Sequence, residues 1–196
     1  MEHFDVIIVG AGISGVSAAV HLDRECPDQS YCVLERRESV GGTWDLFKYP
    51  GIRSDSDMHT LGFNFKPWKE SKAIADGPSI LKYVKETTQE YGIDEHIKFS
   101  HKLTNAQWSS HDAKWTLDVD HGDAQTQMSC NFLFMCSGYY SHDEVHDPRI
   151  DGVEKFAGEM VNPQFWPEGL TYKGKRVVVV GSGATAMTLV PNMAAD

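Results

Sequence analysis

The hydrophobic pattern at the start of the chain predicts a strand, a helix and a second strand. Residues 4–9 (FDVIIV) form a short apolar run that ends in glycine, as a buried strand does. Apolar residues then recur at helical spacing from Ser14 to about Glu25, and Pro27 ends the pattern. Residues 31–35 (YCVLE) predict another strand. This succession is typical of a right-handed βαβ unit with two parallel strands.

The middle of the chain contains a long loop and a second predicted helix. Residues 36–78 are rich in Gly, Pro, Asp and Ser, and their interleaved aromatic side chains argue against disorder. Loops of this length in a compact domain are usually functional when they are ordered. Residues 79–91 predict a helix that Gly92 ends. One face of this helix would consist of Ile80, Tyr83, Val84 and Thr87.

The rest of the chain predicts further strands. Short alternating runs from Ile97 to Asn131 predict an antiparallel meander. Residues 132–138 (FLFMCSG) form a continuous apolar run, which is typical of a buried central strand. The polar, turn-rich residues 141–174 indicate a crossing between domains, and the valines of 177–180 predict a strand beyond it. The predicted fold class is therefore α/β, with a parallel sheet and an antiparallel β-meander.

Composition and charge narrow the classes of partner and compartment. The chain has 28 acidic and 18 basic residues and a net charge of −10, so its own field would oppose nucleic-acid binding. The apolar run at the N-terminus has no basic segment before it and is too short for a signal peptide or a membrane span. We therefore expect a cytoplasmic protein. No Cys-x-x-Cys spacing occurs, and we expect free thiols at Cys26, Cys32, Cys130 and Cys136.

The first glycine motif, Gly10-Ala11-Gly12-Ile13-Ser14-Gly15, lies between a predicted strand and a predicted helix. Gly10 permits a tight turn, Gly12 lets backbone N–H groups approach a pyrophosphate, and Gly15 allows the helix to pack closely on the strand. Glu35 ends the next strand, where its carboxylate would bind a ribose 2′-hydroxyl and repel a 2′-phosphate. The motif therefore predicts FAD or NAD rather than NADP. The structural alternative is a tight turn followed by a surface glutamate.

Two further clusters follow Glu35 along the chain. The residues Gly41-Gly42-Thr43-Trp44-Asp45 combine a glycine pair with a hydroxyl and a flat aromatic ring, so that backbone could lie against a large planar ligand. A simple turn with a core tryptophan is an equal alternative. The loop YPGIRSDSDMH carries Arg53, Asp55 and Asp57, but Asp and Ser are also ordinary turn and cap residues. From chemistry alone, both clusters stay open.

A second glycine motif, Gly181-Ser182-Gly183-Ala184-Thr185-Ala186, follows the valine run. Alanine is an accepted third residue of this motif. Two such motifs predict two dinucleotides, and a flavin with a nicotinamide is the economical pair when the first site takes an adenosine with a free 2′-hydroxyl. The acid or arginine that would select NAD or NADP at the second motif is not within the 196 residues.

Other catalytic chemistry has little support in the sequence. His142 and His146 have i, i+4 spacing, but Pro148 and the lack of a further ligand favour solvated loop histidines, and we predict no metal site. No serine lies in a G-x-S-x-G turn, so hydrolase chemistry is not expected. Cys136 follows a predicted buried strand and is expected to be unreactive.

Taken together, these motifs resemble the class B flavoprotein monooxygenases, the family of flavin-containing and Baeyer-Villiger monooxygenases. The resemblance runs through VIIVGAGISG, VLERRESVGGTWD, YPGIRSDSDM, FLFMCSGYY and VVVVGSGATA. It implies an FAD/NAD(P)-binding Rossmann-like fold with FAD and NADPH as cofactors, followed by the truncated start of a second dinucleotide-binding domain. The implied divisions are an FAD-binding domain at 1–145, an interdomain connection at 146–175 and a first βα unit of an NADP-binding domain at 176–196.

The resemblance also implies which residues contact each cofactor. To the glycines Gly10, Gly12, Gly15 and Gly42 of the two motifs, the resemblance adds as FAD contacts Ser14, Glu35, Thr43, Trp44, Asp45, Leu46 and, at the adenine end, the backbone of Leu103. The implied NADP contacts are Arg53, Ser54, Asp55, Gly181, Ser182, Gly183, Ala184, Thr185, Ala186, Met187 and Thr188. Asp55 would lie near both the flavin and the nicotinamide, and it is the candidate catalytic residue.

The implied activity is NADPH-dependent insertion of one oxygen atom from O2 into a ketone, or oxygenation of a sulfur or nitrogen centre. The implied substrates are small ketones, thioethers or amines. An alternative is a catalytically inactive FAD-binding remnant, because two features depart from the family. Asn162 stands where the fingerprint Phe-x-Gly-x-x-x-His-x-x-x-Trp-Pro has histidine, and asparagine does not titrate near neutral pH. The family's active-site arginine and most of its NADP-binding domain would follow residue 196.

Overall fold

Contacts within the chain divide it into two units. A computed structural model describes residues 1–145 and 149–195. Unit 1 comprises Met1–Asp45 and Leu81–Tyr139, and unit 2 comprises Leu46–Ile80 and Tyr140–Asp196. The strands are β1 (Glu2–Val9), β2 (Tyr31–Leu34), β3 (Ile97–Lys98), β4 (His101–Ser109), β5 (Lys114–His121) and β6 (Ala124–Met135). The α-helices are α1 (Ile13–Glu25), α2 (Thr43–Leu46), α3 (Met58–Leu61), α4 (Gly77–Glu90) and α5 (Ala184–Ala194).

A six-stranded sheet forms the centre of unit 1, in the order β3-β2-β1-β6-β5-β4. β1 pairs in parallel with both β2 and β6, and α1 connects β1 to β2. The predicted βαβ unit is therefore confirmed, as is the α/β class. The hydrophobic core of the sheet draws on four strands and consists of Ile7, Cys32, Leu34, Leu117, Val119, Met128 and Cys130.

The predicted antiparallel meander is confirmed for β4, β5 and β6, which pair in succession. The prediction was wrong at its first run, IKFSHKL, which is not a single meander strand. Residues Ile97 and Lys98 form β3 and pair in parallel with β2. Ser100 then adopts a left-handed conformation (φ 56°), so the chain turns before β4 begins. The alternation of polar and apolar residues did not predict this turn, because serine rarely adopts a left-handed conformation.

The run 132–138 was predicted to be a buried central strand, and this prediction was wrong in its burial. Residues 132–135 complete β6, which lies between β1 and β5. Phe132 and Phe134 are nevertheless 59% and 42% exposed, and their rings contact each other. A central place in the strand order supplies backbone partners on both sides, whereas burial of the side chains also requires a layer packed on the sheet face.

Helix α4 confirms the predicted second helix, with a start at Gly77 and an end at Glu90. The four residues predicted to share one face, Ile80, Tyr83, Val84 and Thr87, are all buried. Asp76 caps the helix: its Oδ1 accepts a hydrogen bond from the backbone N–H of Ser79 (2.9 Å), and its carbonyl accepts the N–H of Ile80 (3.1 Å).

Replacing Asp76 by alanine is expected to lower the free energy of unfolding by about 1 kcal/mol, the usual cost of a lost helix cap. Hydrogen bonds from Ser79 hold the pKa of Asp76 below its usual value of 3.8. The stabilisation is therefore present above the ordinary pKa and is lost as the pH falls through the lower folded-state pKa. Urea unfolding at neutral and at strongly acid pH measures the effect. An equal loss at both pH values would contradict the assignment, and Asp76→Asn, which keeps an acceptor, is the control.

Unit 2 has a small apolar core around the final helix. Leu189 of α5 packs with Phe47 and Tyr49, and Ile52, Trp166 and Met193 border this cluster. Helix α5 approaches the chain closely at Gly51: a Cβ there would lie 2.6 Å from the carbonyl oxygen of Thr188. The second glycine motif is thus continued by a helix that is anchored within unit 2.

The predicted strand at 177–180 is absent from the described residues. Val177, Val178 and Val180 are exposed, and none of the six strands of the sheet includes them. A β-strand needs a neighbouring strand to accept and donate its backbone hydrogen bonds. An apolar, β-branched sequence is therefore not sufficient to form one.

Candidate cofactor site

Gly10 and Gly15 are required by the packing of unit 1 itself. Gly10 has φ 104°, and a Cβ at this position would lie 2.5 Å from the carbonyl oxygen of Cys136. A Cβ at Gly15 would lie 1.8 Å from the carbonyl oxygen of Gly10. The first turn of α1 therefore lies directly against the end of β1, as the motif predicts.

Gly12 differs from these two glycines because the protein's own packing does not require it. Its φ of −76° suits any residue, and the nearest atom to an added Cβ, Gly42 Cα, is 3.8 Å away. Gly12 is the N-cap of α1, whose first turn contains no acidic residue. The N-terminal N–H groups of a helix attract anions. The missing side chain leaves room for a phosphate to approach them, so this turn fits the pyrophosphate of a dinucleotide.

Glu35 is a buried carboxylate that connects this turn to the end of β2. It is only 3% exposed, which contradicts the alternative of a surface glutamate. Its Oε2 accepts the N–H of Ala11 (2.8 Å), and its Oε1 accepts the N–H of Arg37 (2.9 Å). Each oxygen has capacity for a further hydrogen bond. Glu35 therefore holds the first glycine turn in place and keeps acceptor capacity for a hydroxyl.

The structure brings the two glycine clusters of unit 1 together. The N–H of Gly41 donates to the carbonyl of Ala11 (3.0 Å), and Gly42 has φ 53°. A Cβ on Gly42 would lie 3.2 Å from Gly12 Cα. The turn Gly41-Gly42 is thus the wall opposite the first glycine loop. The two clusters form one surface of glycine backbone, a contact that the sequence does not reveal.

Helix α2 begins directly after Gly42 and is a single turn. The N–H groups of Trp44 and Asp45 donate to the carbonyls of Gly41 and Gly42, both at 3.1 Å. Of the implied FAD contacts, Thr43, Trp44, Asp45 and Leu46 are all half-buried. The carboxylate of Asp45 forms an ion pair with Arg37. Arg37 was not among the predicted site residues.

The start of β4 lies beside the end of β2. The N–H of His101 donates to the carbonyl of Glu35 (2.9 Å), and that of Ser100 donates to the carbonyl of Arg37 (3.0 Å). Leu103, the implied adenine contact, follows two residues later and packs partly against the sheet core. The register of β4 against β5 shifts between Leu103 and Asn105. Such irregularities are frequent next to binding sites.

Cys136 completes the first glycine turn from the other side, and the sequence did not assign it that place. Its N–H donates to the carbonyl of Val9 (2.8 Å), and a Cβ on Gly15 would be 3.5 Å from its own Cβ. Burial raises the pKa of the thiol, in agreement with the expected low reactivity. The strand order could have indicated this position of Cys136. It follows β6, which is parallel to β1, and the carboxyl ends of neighbouring parallel strands meet at the binding edge of such sheets.

In unit 2, the three implied NADP contacts on the loop at Arg53 are Arg53, Ser54 and Asp55, and they differ in exposure. Arg53 and Asp55 are exposed, whereas Ser54 is buried. The Ser54 hydroxyl accepts the N–H of Ala75 (3.1 Å), and the Ser54 N–H donates to the carbonyl of Ala75 (2.9 Å). Ser54 therefore fixes the loop, while the side chains on either side of it are accessible to a ligand.

The second glycine motif in unit 2 is more open than the first. Gly181 has φ 138°, and within residues 1–145 and 149–195 no atom outside the adjacent residues of the chain lies within 4 Å of a Cβ added at Gly181 or Gly183. Gly183 is the N-cap of α5, with φ −77°. The Thr188 hydroxyl is buried and donates to the carbonyls of Thr185 (3.1 Å) and Ala184 (3.2 Å). Ser182, Ala184 and Met187 are exposed, and Thr185 and Ala186 are half-buried.

Asn162, the residue that departs from the family fingerprint, has a local structural role. Its side-chain oxygen accepts the N–H of Gln164 (3.0 Å) and caps the 3₁₀ helix Pro163–Phe165. This bond requires no titratable group. Trp166 of the same fingerprint borders the apolar core around Leu189.

Within residues 1–145 and 149–195, no group of three or more His, Cys, Asp or Glu side chains is arranged to hold a metal ion. His146 and Pro148, on which the prediction of solvated loop histidines depends, lie outside the described residues. In the same ranges, no helix has the length and apolar character needed to span a membrane.

A mixed sheet whose strands β3, β2, β1 and β6 run parallel, with a glycine turn between its first strand and first helix, defines unit 1 as a Rossmann-like α/β fold. The chain belongs to the flavin-binding monooxygenase-like family, whose model matches residues 4–195.

Individual relatives agree with this family. The chain is 59% identical over 193 residues to the FAD-containing monooxygenase EthA of Mycobacterium tuberculosis, a match that covers 98% of this chain and 40% of EthA. It is 52% identical over 196 residues to the putative FAD-containing monooxygenase MymA of the same species, covering 98% of this chain and 39% of MymA. A solved structure, oxidized steroid monooxygenase bound to NADP, superposes with a TM-score of 0.84 at 31% identity and covers 98% of this chain and 37% of that one. The chain thus spans about 40% of the length of EthA.

Proposed function

We propose that this chain binds FAD at its first glycine turn and forms part of an FAD- and NADPH-dependent monooxygenase. The proposed reaction inserts one oxygen atom from O2 into a small ketone, or oxygenates a sulfur or nitrogen centre. Support comes from the family, from the relatives named as FAD-containing monooxygenases, and from the steroid monooxygenase that is bound to NADP.

The observation that carries the proposal is the surface formed by Gly12 and Gly42. Gly12 and Gly42 are both half-buried and carry no side chain, and the N-terminus of α1 lies at Gly12 without a competing acidic side chain in its first turn. Backbone N–H groups in such an arrangement bind a pyrophosphate. Bound there, FAD would supply hydride acceptance and, once reduced, activation of O2.

Glu35 supports FAD rather than NADP at this first site. Its buried carboxylate is fixed by two backbone N–H groups and keeps acceptor capacity suited to a ribose hydroxyl. A 2′-phosphate would bring a second negative charge next to this carboxylate, at a buried position where repulsion is weakly screened.

NADPH is proposed to contact the residues of unit 2 that are accessible. These are Arg53 and Asp55 on the loop fixed by Ser54, and the turn Gly181-Ser182-Gly183 before α5. The guanidinium of Arg53 provides a positive charge for a phosphate, and Asp55 provides an acceptor. Asp55 remains the proposed catalytic residue, with a role in orienting the reacting groups.

The direct test is to titrate the 196-residue chain with FAD and to follow quenching of flavin fluorescence. Saturable, one-to-one binding that ADP competes away is expected. NADPH oxidation that rises on addition of a ketone or thioether would support the monooxygenase reaction. Binding without NADPH oxidation would limit the chain to flavin binding, and a lack of saturable FAD binding would overturn the proposed site.

A further inference from the structure

We propose that Arg37 is a positioning residue: through its ion pair with Asp45 it holds the turn Gly41-Gly42-Thr43 against the first glycine loop. The pair would thereby set the affinity of the proposed FAD site, so this inference rests on the proposed function. Neither partner needs to touch the cofactor with its charged group.

The turn Gly41-Gly42 has little to hold it in shape from within. Gly41 has φ 120° and Gly42 has φ 53°, and glycine loses more conformational freedom on ordering than any other residue. The helix that follows, α2, is one turn long and contributes little stability by itself. The position of the turn must therefore be fixed by contacts with other parts of unit 1.

One such contact is made through the side chain of Asp45. An added Cβ on Gly41 would lie 3.2 Å from the Asp45 Cβ, so Asp45 packs directly over the first glycine of the turn. The N–H of Asp45 also donates to the carbonyl of Gly42 (3.1 Å). An interaction that holds the Asp45 side chain in place therefore also holds the turn Gly41-Gly42 in place.

Arg37 is well placed to supply that force because its own backbone is held on both sides. Its N–H donates to Glu35 (2.9 Å), and its carbonyl accepts the N–H of Ser100 (3.0 Å). Its guanidinium donates to the carboxylate of Asp45 through Nη2, and the same nitrogen lies 3.4 Å from the Asp45 carbonyl oxygen. Arg37 thus connects the turn to the corner that also holds the first glycine loop through Glu35.

Because the pair is partly buried, its attraction is less screened than that of an ordinary surface ion pair. The side chains of Arg37 and Asp45 are 25% and 14% exposed, so solvent and salt screen their attraction only in part. Removal of one partner leaves the other charge half-buried without its counter-charge. The pair Lys82–Glu86 provides a contrast, because its atoms are 3.7 Å apart and its side chains are 66% and 52% exposed.

The test compares the 196-residue chain with its variants Arg37→Gln, Asp45→Asn and the double variant. Each single variant is expected to weaken FAD binding about tenfold, which is the size expected for one charge-assisted contact. The double variant should bind no more weakly than either single one, since both remove the same interaction. Hydrogen exchange of the amides in residues 41–46 should accelerate in all three without FAD, while the urea midpoint of the whole unit changes little. Lys82→Gln is the matched control, and it should change neither FAD affinity nor hydrogen exchange in residues 41–46.

Two results would overturn the inference while leaving the FAD site intact: wild-type FAD affinity in both single variants, or unchanged exchange in residues 41–46. If the starting chain itself fails to bind FAD, the proposed function fails together with the inference. Arg37→Lys serves as a second variant should Arg37→Gln fail to fold. It keeps the charge and loses the planar geometry, so its affinity should fall between those of the starting chain and Asp45→Asn.

Discussion

Replacing Gly15 by alanine is expected to destabilise unit 1 by about 3 kcal/mol or more, enough to unfold a domain of ordinary stability. The added Cβ would lie 1.8 Å from the carbonyl oxygen of Gly10, and both the methyl group and that oxygen are fixed to backbone. Relief would require α1 to move away from the end of β1. The sign of the effect is informative, because glycine to alanine inside a helix ordinarily stabilises by about 1 kcal/mol.

Urea unfolding followed by circular dichroism measures this loss, with Ser17→Ala as the control in the same helix. Ser17 is half-buried, and its replacement is expected to change the free energy of unfolding by no more than about 0.5 kcal/mol. A Gly15→Ala variant as stable as the starting chain would show that α1 does not pack on β1 as closely as described.

Close packing at Gly15 is also the part of the site that the sequence predicts best. The glycine motif lies between an apolar run and a helical pattern, and these local signals determine both the βαβ unit and the role of each glycine. Glu35 was located in the same way, directly after β2. Its burial and its bonds to Ala11 and Arg37 were not predicted, because they depend on how the chain folds around it.

Two further contacts also depend on how the chain folds. They are the contact between Gly12 and Gly42 and the ion pair between Arg37 and Asp45. Each joins residues whose proximity is set by tertiary structure, and no periodicity or spacing encodes it. Arg37 lies in a run of charged residues after β2, where a solvated side chain is the default expectation. Its ion pair with Asp45 depends on the folding of the turn at Gly41.

Two apolar runs show the opposite limit of sequence interpretation. Residues 177–180 do not form a strand in the described part of the chain, and Phe132 and Phe134 are exposed although β6 lies between two strands. Hydrophobic sequence measures a preference for burial and for extended backbone. Whether that preference is met depends on a neighbouring strand or a covering layer, which the run itself does not contain.

Replacing Gly12 by alanine is expected to weaken FAD binding by about two orders of magnitude while leaving the fold intact. The backbone conformation of Gly12 (φ −76°) suits alanine, and the described atom nearest to its added Cβ, Gly42 Cα, would be 3.8 Å away. The methyl group would instead occupy the space in which a pyrophosphate approaches the N-terminus of α1. Loss of charge-assisted hydrogen bonds to backbone N–H groups is large enough for a hundredfold effect.

Gly183→Ala is the matched control for this prediction. Gly183 has nearly the same backbone conformation (φ −77°) and is the N-cap of α5, and no atom elsewhere in the described part of the chain lies within 4 Å of its added Cβ. Both variants should lose a similar, small part of their stability, because each places alanine at an N-cap, but only Gly12→Ala should lose FAD. If Gly12→Ala bound FAD as tightly as the starting chain, the proposal that the pyrophosphate binds at the first glycine turn would be wrong. An equal loss of FAD affinity in both variants would show that the effect is not specific to α1. The two substitutions are matched, since each adds a methyl group at the N-cap glycine of a helix.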